Sequence, residues 1–279
     1  MQIDRSKAPI NDSDIFLKIP NINLSYFNNI KIYYFEDHSQ ALINFKINFK
    51  NGAVSEKIPG TANFTMSMLQ NGTKNLTTSQ ISEKFESLGA SYFFNAYWDE
   101  CATGFSCLEQ YFNPCFELLN DCIFNSIFDV AEIERQRQKI LAIIMQNNSN
   151  PNYLAQVAFN IGMFNGHNYA HPRIGDLESV SKITKNDLTE FYHKLLKSSE
   201  ISIIITGNFN EKNIRKQIEN SFEIISNNKS NEIIPNHNPT RHKNLIADKD
   251  DALQTNLIIG KAVDINRKSP IYPHFQVIN

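Results

Sequence analysis

The sequence has little cysteine, and none of it is spaced as a zinc ribbon or a redox centre requires. The four cysteines are Cys101, Cys107, Cys115 and Cys122, and no two of them form a Cys-x-x-Cys pair. The first two share one face of a predicted strand, and the last two share one face of a predicted helix. Because unpaired cysteines commonly pack as small apolar side chains, we expect four buried free thiols.

Long apolar runs and an excess of one charge are also absent. No window approaches the roughly 18 apolar residues of a membrane-spanning helix, and the opening residues, MQIDRSKAPINDSD, hold no apolar run of a signal peptide. Lys and Arg total 27 against 29 Asp and Glu, so the charge balance indicates no nucleic-acid or acidic-membrane partner. We expect a soluble protein, cytoplasmic or periplasmic, with no membrane span.

Strand patterns occur in both halves of the chain. The sequence is 41% hydrophobic over 279 residues, enough to bury the core of one large domain or two smaller ones. Apolar and polar residues alternate, as in half-buried strands, over residues 28–37, 40–52, 91–98 and 101–108. Residues 200–208, EISIIITGN, are an almost continuous apolar run, which predicts a central strand.

Helical patterns with recognisable end signals fill much of the remaining sequence. Helices are predicted over residues 60–72, 77–89, from 113, over 129–147, from 150, over 184–196 and over 210–225. Thr77 and Gln80 fit a capping box, and Asn113-Pro114 and Asn150-Pro151 are each typical of a helix start. On the helix that follows Asn150, the side chains expected to face inward are Leu154, Val157, Ala158 and Ile161.

The pattern divides the chain into three parts. A polar stretch with two prolines predicts a linker over residues 227–251, after a first unit that spans residues 1–226. Residues 252–279 then begin a second unit, with a strand over 252–263 followed by the first turns of a helix. Because the helical pattern stops within those turns, we expect the second unit to be truncated.

Residues 60–73, GTANFTMSMLQNGT, have the frame of a zinc-site helix. Inverted zinc peptidases place His-x-x-Glu-His on a helix, where histidines four residues apart reach one Zn²⁺ and the Glu activates its water. The frame here resembles that of the pitrilysin/insulinase (M16) metallopeptidase family, G-x-A-H-F-x-E-H-M-L-x-x-G-T. The residues that match it are Gly60, Ala62, Phe64, Met68, Leu69, Gly72 and Thr73.

Further segments resemble the same family in the same order. They are IERQRQKILAIIMQNNSNPNYLA (133–155), residues 165–196, SIIITGNFN (202–210) and the last residues from Gln254, so the match runs from about Asp4 to the end. The resemblance is to bacterial subunits related to the mitochondrial processing peptidase. It implies an α+β fold in which a mostly antiparallel sheet carries helices packed on one face.

The chemistry of the family's site is missing at every position. The two histidines are replaced by Asn63 and Ser67, the general-base Glu by Met66, and the third ligand, a Glu, falls at Ile143. Asn and Ser are poor Zn²⁺ ligands, Met is too soft for a hydrolytic site, and Ile cannot ligate. We therefore expect no catalytic residue, no metal ligand and no cofactor in this chain, with zinc only in a partner subunit.

His167 and His171 are the one histidine pair spaced four apart, but GHNYAHPRIG reads as a loop. We expect loop hydrogen bonds there rather than a metal site.

The resemblance implies a non-catalytic subunit that pairs with an M16-type catalytic subunit, or with a second copy of itself, around a peptide chamber. Relatives add an extended peptide to an edge strand through backbone hydrogen bonds, and the matching residues here are Phe94, Asn95, Ala96 and Tyr97. An ordinary strand covered by the partner half is the alternative for this segment. For the whole protein, the alternatives are a stand-alone peptide-binding or scaffold protein and an active zinc peptidase with unrecognised ligands.

Overall fold

Alternating strands and amphipathic helices build one mixed sheet with helices around it. The computed structural model describes residues 21–198, 200–223, 244–249, 254–261, 263, 265 and 267–278. The strands are β1 (Asn23–Phe27), β2 (Ile30–Glu36), β3 (Leu42–Phe49), β4 (Ser91–Ala96), β5 (Cys101–Leu108) and β6 (Ile201–Gly207). The helices are α1 (Thr61–Met68), α2 (Thr78–Ser87), α3 (Phe112–Phe124), α4 (Val130–Asn148), α5 (Pro151–Phe164), α6 (Leu177–Lys182), α7 (Lys185–Ser198), α8 (Glu211–Phe222) and α9 (Tyr272–Ile278).

The six strands form one sheet in the order β1-β2-β6-β3-β5-β4. All neighbouring pairs are antiparallel except β2 and β6, which run parallel. The apolar run at 201–207 is therefore a central strand, as predicted. Strands β4 and β1 are the two edges of the sheet, and β4 is the edge nearest the zinc-site frame, because α1 packs against it.

One strand was missed, and its neighbour was predicted to begin too early. Asn28 and Asn29 both have positive φ, 45° and 64°, and form a two-residue turn between β1 and β2. Asn is one of the few residues that tolerates this conformation, so the pair is a hairpin signal. The predicted strand over 28–37 included this turn and left out β1.

The core lies on one face of the sheet. Side chains on this face of β2, β3 and β6 are almost completely buried, and they are Ile30, Ile32, Tyr34, Ile43, Phe45, Ile47, Phe49, Ile201, Ile203 and Ile205. The opposite face carries half-buried or exposed residues such as Lys31, Asn44, Lys46 and Ser202. The predicted α+β fold, mostly antiparallel with helices packed on one face, is confirmed.

Most of the helix starts occur where the sequence placed them. Thr77 and Gln80 form the reciprocal capping box of α2, and Asn150 caps α5 through its bond to the Asn152 N–H. Helix α3 is different, because the chain enters it from a short 3-10 turn over Glu109–Tyr111, and the helix has already begun at Phe112. The prediction of Asn113 as its cap was therefore wrong.

The predicted inward face of α5 was also wrong. Helix α5 has no buried residue, and Ile161 is 47% exposed, while Leu154, Val157 and Ala158 are half-buried. Part of this helix is covered by the chain after residue 243. A Cβ added to Gly162 would lie 2.7 Å from Leu245, and one added to Gly260 would lie 2.5 Å from the Phe159 ring. The helix also packs against α4 and the short helical turn Asn168–Ala170, and its apolar residues are therefore half-buried or exposed rather than part of the core.

The end of the chain matches its prediction in part. Helix α9 lies where a helix was expected, but residues 254–261 are not in a strand, so the predicted strand over 252–263 is wrong for the residues described. The linker predicted over 227–251 falls mostly outside the described residues, and the boundary between the first unit and the second stays a prediction. Within the described segments, no helix is both long and apolar enough to cross a bilayer.

Candidate functional site

The start of α1 is fixed by a close contact between two glycines and the backbone that faces them. Gly60 has φ +93°, and a Cβ there would lie 2.7 Å from the Ile174 carbonyl oxygen. Gly175 has φ +82°, and a Cβ there would lie 2.7 Å from the Pro59 carbonyl oxygen. Only glycine takes this conformation without strain and leaves room for the approach. Gly60, the first glycine of the zinc-site frame, therefore has a packing role.

A buried carboxyl group caps the same helix. Glu56 accepts hydrogen bonds from the backbone N–H groups of Gly60 (2.9 Å) and Ala62 (2.7 Å), and its side chain is inaccessible to solvent. Burial raises the pKa of Glu56 to about 8, although the two N–H bonds act in the opposite direction. The carboxyl group is held by α1 on both oxygens, so its role is to satisfy a helix end.

The predicted loop histidines lie beside this cap. His171 Nδ1 is 3.9 Å from a Glu56 oxygen, and burial lowers the pKa of His171. His167 Nδ1 accepts a hydrogen bond from the Tyr169 N–H, which is the loop hydrogen bonding expected from the sequence. The neighbouring Asn168 donates to the carbonyl oxygens of Val54 (2.7 Å) and Glu56 (3.1 Å). These contacts join the loop before α6 to the segment before α1.

The residues at the four positions of the missing ligands and general base differ in burial, and none of them is placed as a metal ligand. Met66 is completely buried, and the Ser67 hydroxyl donates to the Phe64 carbonyl oxygen at 2.7 Å within its own helix. Asn63 is half-buried. Ile143, on α4, is 45% exposed. Helices α1 and α4 do pack together, so the fold brings these two helices side by side without bringing together a set of ligands.

These residues do not fit a catalytic zinc ion. The site offers a thioether inside the core, a hydroxyl already bonded to its own helix, an amide and a hydrocarbon, and none of these matches the imidazole and carboxylate donors that such a site uses. No cluster of three His, Cys, Asp or Glu side chains able to hold a metal is found among the described residues. No hydrolytic step follows from this chain's own groups at α1.

The four cysteines are buried free thiols, as predicted. Burial raises the pKa of Cys101 and raises that of Cys122 to about 12. The Cys115 thiol beside Cys107, together with burial, raises the pKa of Cys107. The hydrogen bond with Cys107 lowers the pKa of Cys115. The thiols of Cys101, Cys107 and Cys122, whose pKa values are raised, are poor nucleophiles, and all four cysteine side chains pack in the core.

The open edge of β4 is the second part of the candidate site. The Tyr97 N–H donates to the Glu100 carbonyl oxygen (2.7 Å), and the Phe93 carbonyl oxygen accepts from the Thr103 side-chain hydroxyl on β5 (2.8 Å). Residues 91, 93, 95 and 97 therefore direct their backbone groups toward β5, and by the alternation of an antiparallel ladder Tyr92, Phe94 and Ala96 direct theirs outward. No described strand lies beyond β4.

The predicted edge residues divide between core and surface. Phe94 and Ala96 have buried side chains, whereas that of Asn95 is exposed. Tyr97 is 40% exposed and follows the strand, in the turn that leads to β5. The Tyr97 carbonyl oxygen accepts from the Ala53 N–H, so the open edge ends at Ala96. Peptide binding by these residues stays a prediction.

Arg173 lies at the end of this edge and was not singled out from the sequence. Its Nη1 donates to the Ala96 carbonyl oxygen at 3.1 Å, and its guanidinium carbon is 5.8 Å from the centre of the Tyr97 ring. The two residues are 77 positions apart, so no local pattern could have linked them. Glu56 was missed for a similar reason, although an acid just ahead of a helix start is a recognisable capping signal.

Comparisons with known proteins agree with this geometry. The family described as "Insulinase (Peptidase family M16)" matches residues 32–176, and "Peptidase M16 inactive domain" matches residues 182–267. The "Mitochondrial-processing peptidase subunit beta" of Caenorhabditis elegans is 27% identical over 203 residues, covering 71% of this chain and 43% of the relative. The "Non-peptidase homolog YmxG" of Helicobacter pylori is 21% identical over 205 residues, covering 73% of this chain and 48% of the relative.

A solved structure shares the fold. The crystal structure of a peptidase M16 inactive domain from Pseudomonas fluorescens matches with a TM-score of 0.71 at 22% identity, covering 77% of this chain and 53% of that one. The chain spans less than half the length of the curated relatives named above. The first family match alone takes in more than half of this chain. The chain belongs to the insulinase family, peptidase family M16.

Proposed function

We propose that the chain is a non-catalytic M16-type subunit that pairs with a zinc-bearing M16 subunit and helps to hold an extended peptide. The observation that carries the proposal is the state of α1. The helix keeps the frame of the zinc site, but Met66 lies in the core and Ser67 bonds to its own helix. A helix in this state supports packing and leaves the hydrolytic chemistry to a partner.

The β4 edge supports the peptide-holding part of the proposal. Adding a strand to a sheet edge uses backbone N–H and C=O groups, which do not depend on the zinc ligands. The outward groups of Tyr92 and Phe94 supply that pairing beside α1. The loss of the ligands therefore removes the chemistry of the site and leaves its means of binding an extended chain.

The kind of partner that we propose follows from the proteins that this chain resembles. One similar protein is named as a subunit of the mitochondrial processing peptidase, and another is named as a non-peptidase homologue. A chain without ligands gains a hydrolytic role only beside one that has them, so an M16 subunit with an intact His-x-x-Glu-His motif is the partner we propose. A second copy of this chain is the other candidate, and it would form a binding protein without hydrolysis.

The test is reconstitution with an M16 subunit that carries His-x-x-Glu-His, taken from the same genome. The two chains are co-expressed, separated by size-exclusion chromatography, and assayed on an internally quenched peptide library with zinc measured per complex. We expect a complex with zinc in the partner alone, and a kcat/KM above that of the partner by itself.

Other outcomes would point elsewhere. Two chains that never associate, with a partner equally active alone, would contradict the proposal. Peptide binding without any M16 partner would then favour a stand-alone binding or scaffold protein. Stoichiometric zinc in this chain alone, with hydrolysis, would favour an active peptidase with other ligands.

A further inference from the structure

We infer that Arg173 binds a carboxylate of the extended peptide at the end of the β4 edge, so that the site selects peptides that place a carboxylate there. The inference rests on the proposed peptide-binding role of this edge and adds its specificity. The carboxylate has two sources, an acidic side chain near one end of the peptide or the peptide's own C-terminal group, and the experiment below separates them.

The backbone at the edge sets where the peptide stops. Tyr92 and Phe94 each offer one N–H and one C=O to an added strand, and Ala96 offers its N–H. The Ala96 carbonyl oxygen is already bonded to Arg173 at 3.1 Å. A peptide strand that pairs with Phe94 would next donate an N–H to the Ala96 carbonyl oxygen. Because Arg173 already bonds to that oxygen, the peptide meets the Arg173 guanidinium there instead.

Arg173 has the charge and the preorganisation of a carboxylate site. Its bond to Ala96 and its position over the Tyr97 ring fix the guanidinium at the edge while the residue as a whole stays exposed. Within the described residues it forms no ion pair with an Asp or Glu. Asp99, in the turn after Tyr97, accepts instead from the Tyr169 hydroxyl. A guanidinium carries five N–H groups, and carboxylate is the group it binds best.

The rival role for Arg173 is to close the edge. Charged side chains on an edge strand discourage the addition of another chain. The two roles make opposite predictions for the loss of the charge. An Arg that closes the edge weakens the binding of every peptide, whereas an Arg that binds a carboxylate strengthens only the binding of peptides that place a carboxylate beside it.

The experiment measures binding of fluorescein-labelled nonapeptides, rich in Thr, Ser and Val, by fluorescence polarisation. One set places a single Glu or Gln near either end, with an amidated C-terminus. A second set carries Gln only and compares a free C-terminal carboxylate with the amide. An N-methylated version of each peptide, which cannot pair with the edge, serves as the peptide control. The protein variants are R173Q, R173K and R215Q, and the last removes an exposed Arg on α8 that pairs with Glu219.

We expect one carboxylate-bearing peptide to bind about fivefold more tightly than its neutral twin, as an ion pair with a preorganised partner gives. R173Q should abolish the preference, R173K should retain part of it, and R215Q should leave it unchanged. The set that shows the preference identifies the source of the carboxylate. Melting temperatures of the variants confirm that all are folded.

Two results would overturn the inference and leave peptide binding at the edge intact. In the first, every carboxylate-bearing peptide of both sets binds as well as its neutral twin, and N-methylation abolishes the binding of both. In the second, R173Q binds every peptide more tightly than the parent, which assigns Arg173 to closing the edge. If no peptide binds, or if N-methylation changes nothing, edge pairing itself fails, and with it the peptide-holding part of the proposed function.

Discussion

Helix α1 and strand β4 lie against each other, but α1 lacks the family's ligand side chains whereas β4 keeps its outward backbone groups. The function of α1 in the family depends on particular side chains, and they are replaced here by a half-buried amide at Asn63, a core residue at Met66 and a hydroxyl at Ser67 that bonds within the helix. The function proposed for β4 depends on backbone groups that every residue except proline supplies in full, and the groups of Tyr92 and Phe94 still point outward. Replacing a few side chains removes a metal site, whereas the backbone groups of an open edge strand remain as long as the strand is formed.

The start of α1 is held by residues that are not zinc ligands. Gly60, Gly175 and Glu56 hold the start of α1 with close contacts and two N–H bonds. They explain why the frame of a zinc-site helix can remain when the zinc ligands have gone. The frame is a packing requirement of the fold in its own right.

The largest expected effect comes from returning the general base to α1. Met66→Glu places a carboxyl group in a fully buried apolar position, and we expect it to lower the free energy of unfolding by roughly 4 kcal/mol or more. Met66→Leu is the control and should cost less than about 1.5 kcal/mol. Urea denaturation measures both. A stable Met66→Glu protein would mean that the position still opens onto a polar cavity.

A pair of proline substitutions tests which backbone groups of β4 face outward. Asn95→Pro removes an N–H directed at β5 and should destabilise the protein by about 3 kcal/mol. Ala96→Pro removes an N–H directed at the open edge, where proline is tolerated, and should cost about 1 kcal/mol or less. Thermal or urea denaturation of the two variants checks the assignment. Equal losses would show that the alternation along β4 is not as described.

The pH dependence of stability tests the cap at the start of α1. The pKa of Glu56 is raised from its ordinary value near 4.5 to about 8 in the folded state. The folded state therefore holds this proton more tightly, and the stabilisation present below pH 4.5 is lost as pH rises toward 8. In the wild type this loss should be on the order of 2–4 kcal/mol.

Glu56→Gln removes that titration and should cost about 1 kcal/mol near pH 5, because one accepting oxygen becomes an amide NH₂. The difference between wild type and variant should shrink or reverse near pH 8. Urea denaturation at a series of pH values between 4.5 and 8.5 measures it. A difference that stays constant across this range would mean that Glu56 is ionised throughout.

The smallest expected effect is at the two replaced ligand positions of α1 that are only half-buried. Asn63→Ala and Ser67→Ala should each change the free energy of unfolding by about 0.5 kcal/mol or less. Peptide binding, measured as for Arg173, should be unchanged. A loss of binding in either variant would give these side chains a role in contacting the peptide.

Local signals in the sequence were enough for much of the fold. The capping box at Thr77, the Asn-Pro start of α5 and the apolar run of β6 each act within a few residues, and each was read correctly. The zinc-site frame was also local, and it led to the family. The Asn28-Asn29 turn was equally local but was absorbed into a strand, because alternation was given more weight than turn chemistry.

Features that join distant segments could not be read in the same way. The inward face of α5 was assigned from its period, but the period cannot say whether the helix packs on the core or on a later segment. Arg173 and Ala96 meet only because the loop before α6 folds back onto the β4 edge. Glu56 becomes a cap only when the chain from Gly60 turns over it.

The most direct test of the central claim is peptide cleavage by the reconstituted complex with Ala96→Pro in this chain. The central claim is that this chain binds the peptide through backbone groups of β4 and contributes no catalytic group. Chromatography should find the variant assembled with its zinc-bearing partner as readily as the wild type, while kcat/KM for an extended peptide falls toward that of the partner alone. A variant complex that cleaves as well as the wild-type complex would contradict the claim, because the β4 edge would then have no part in holding the substrate.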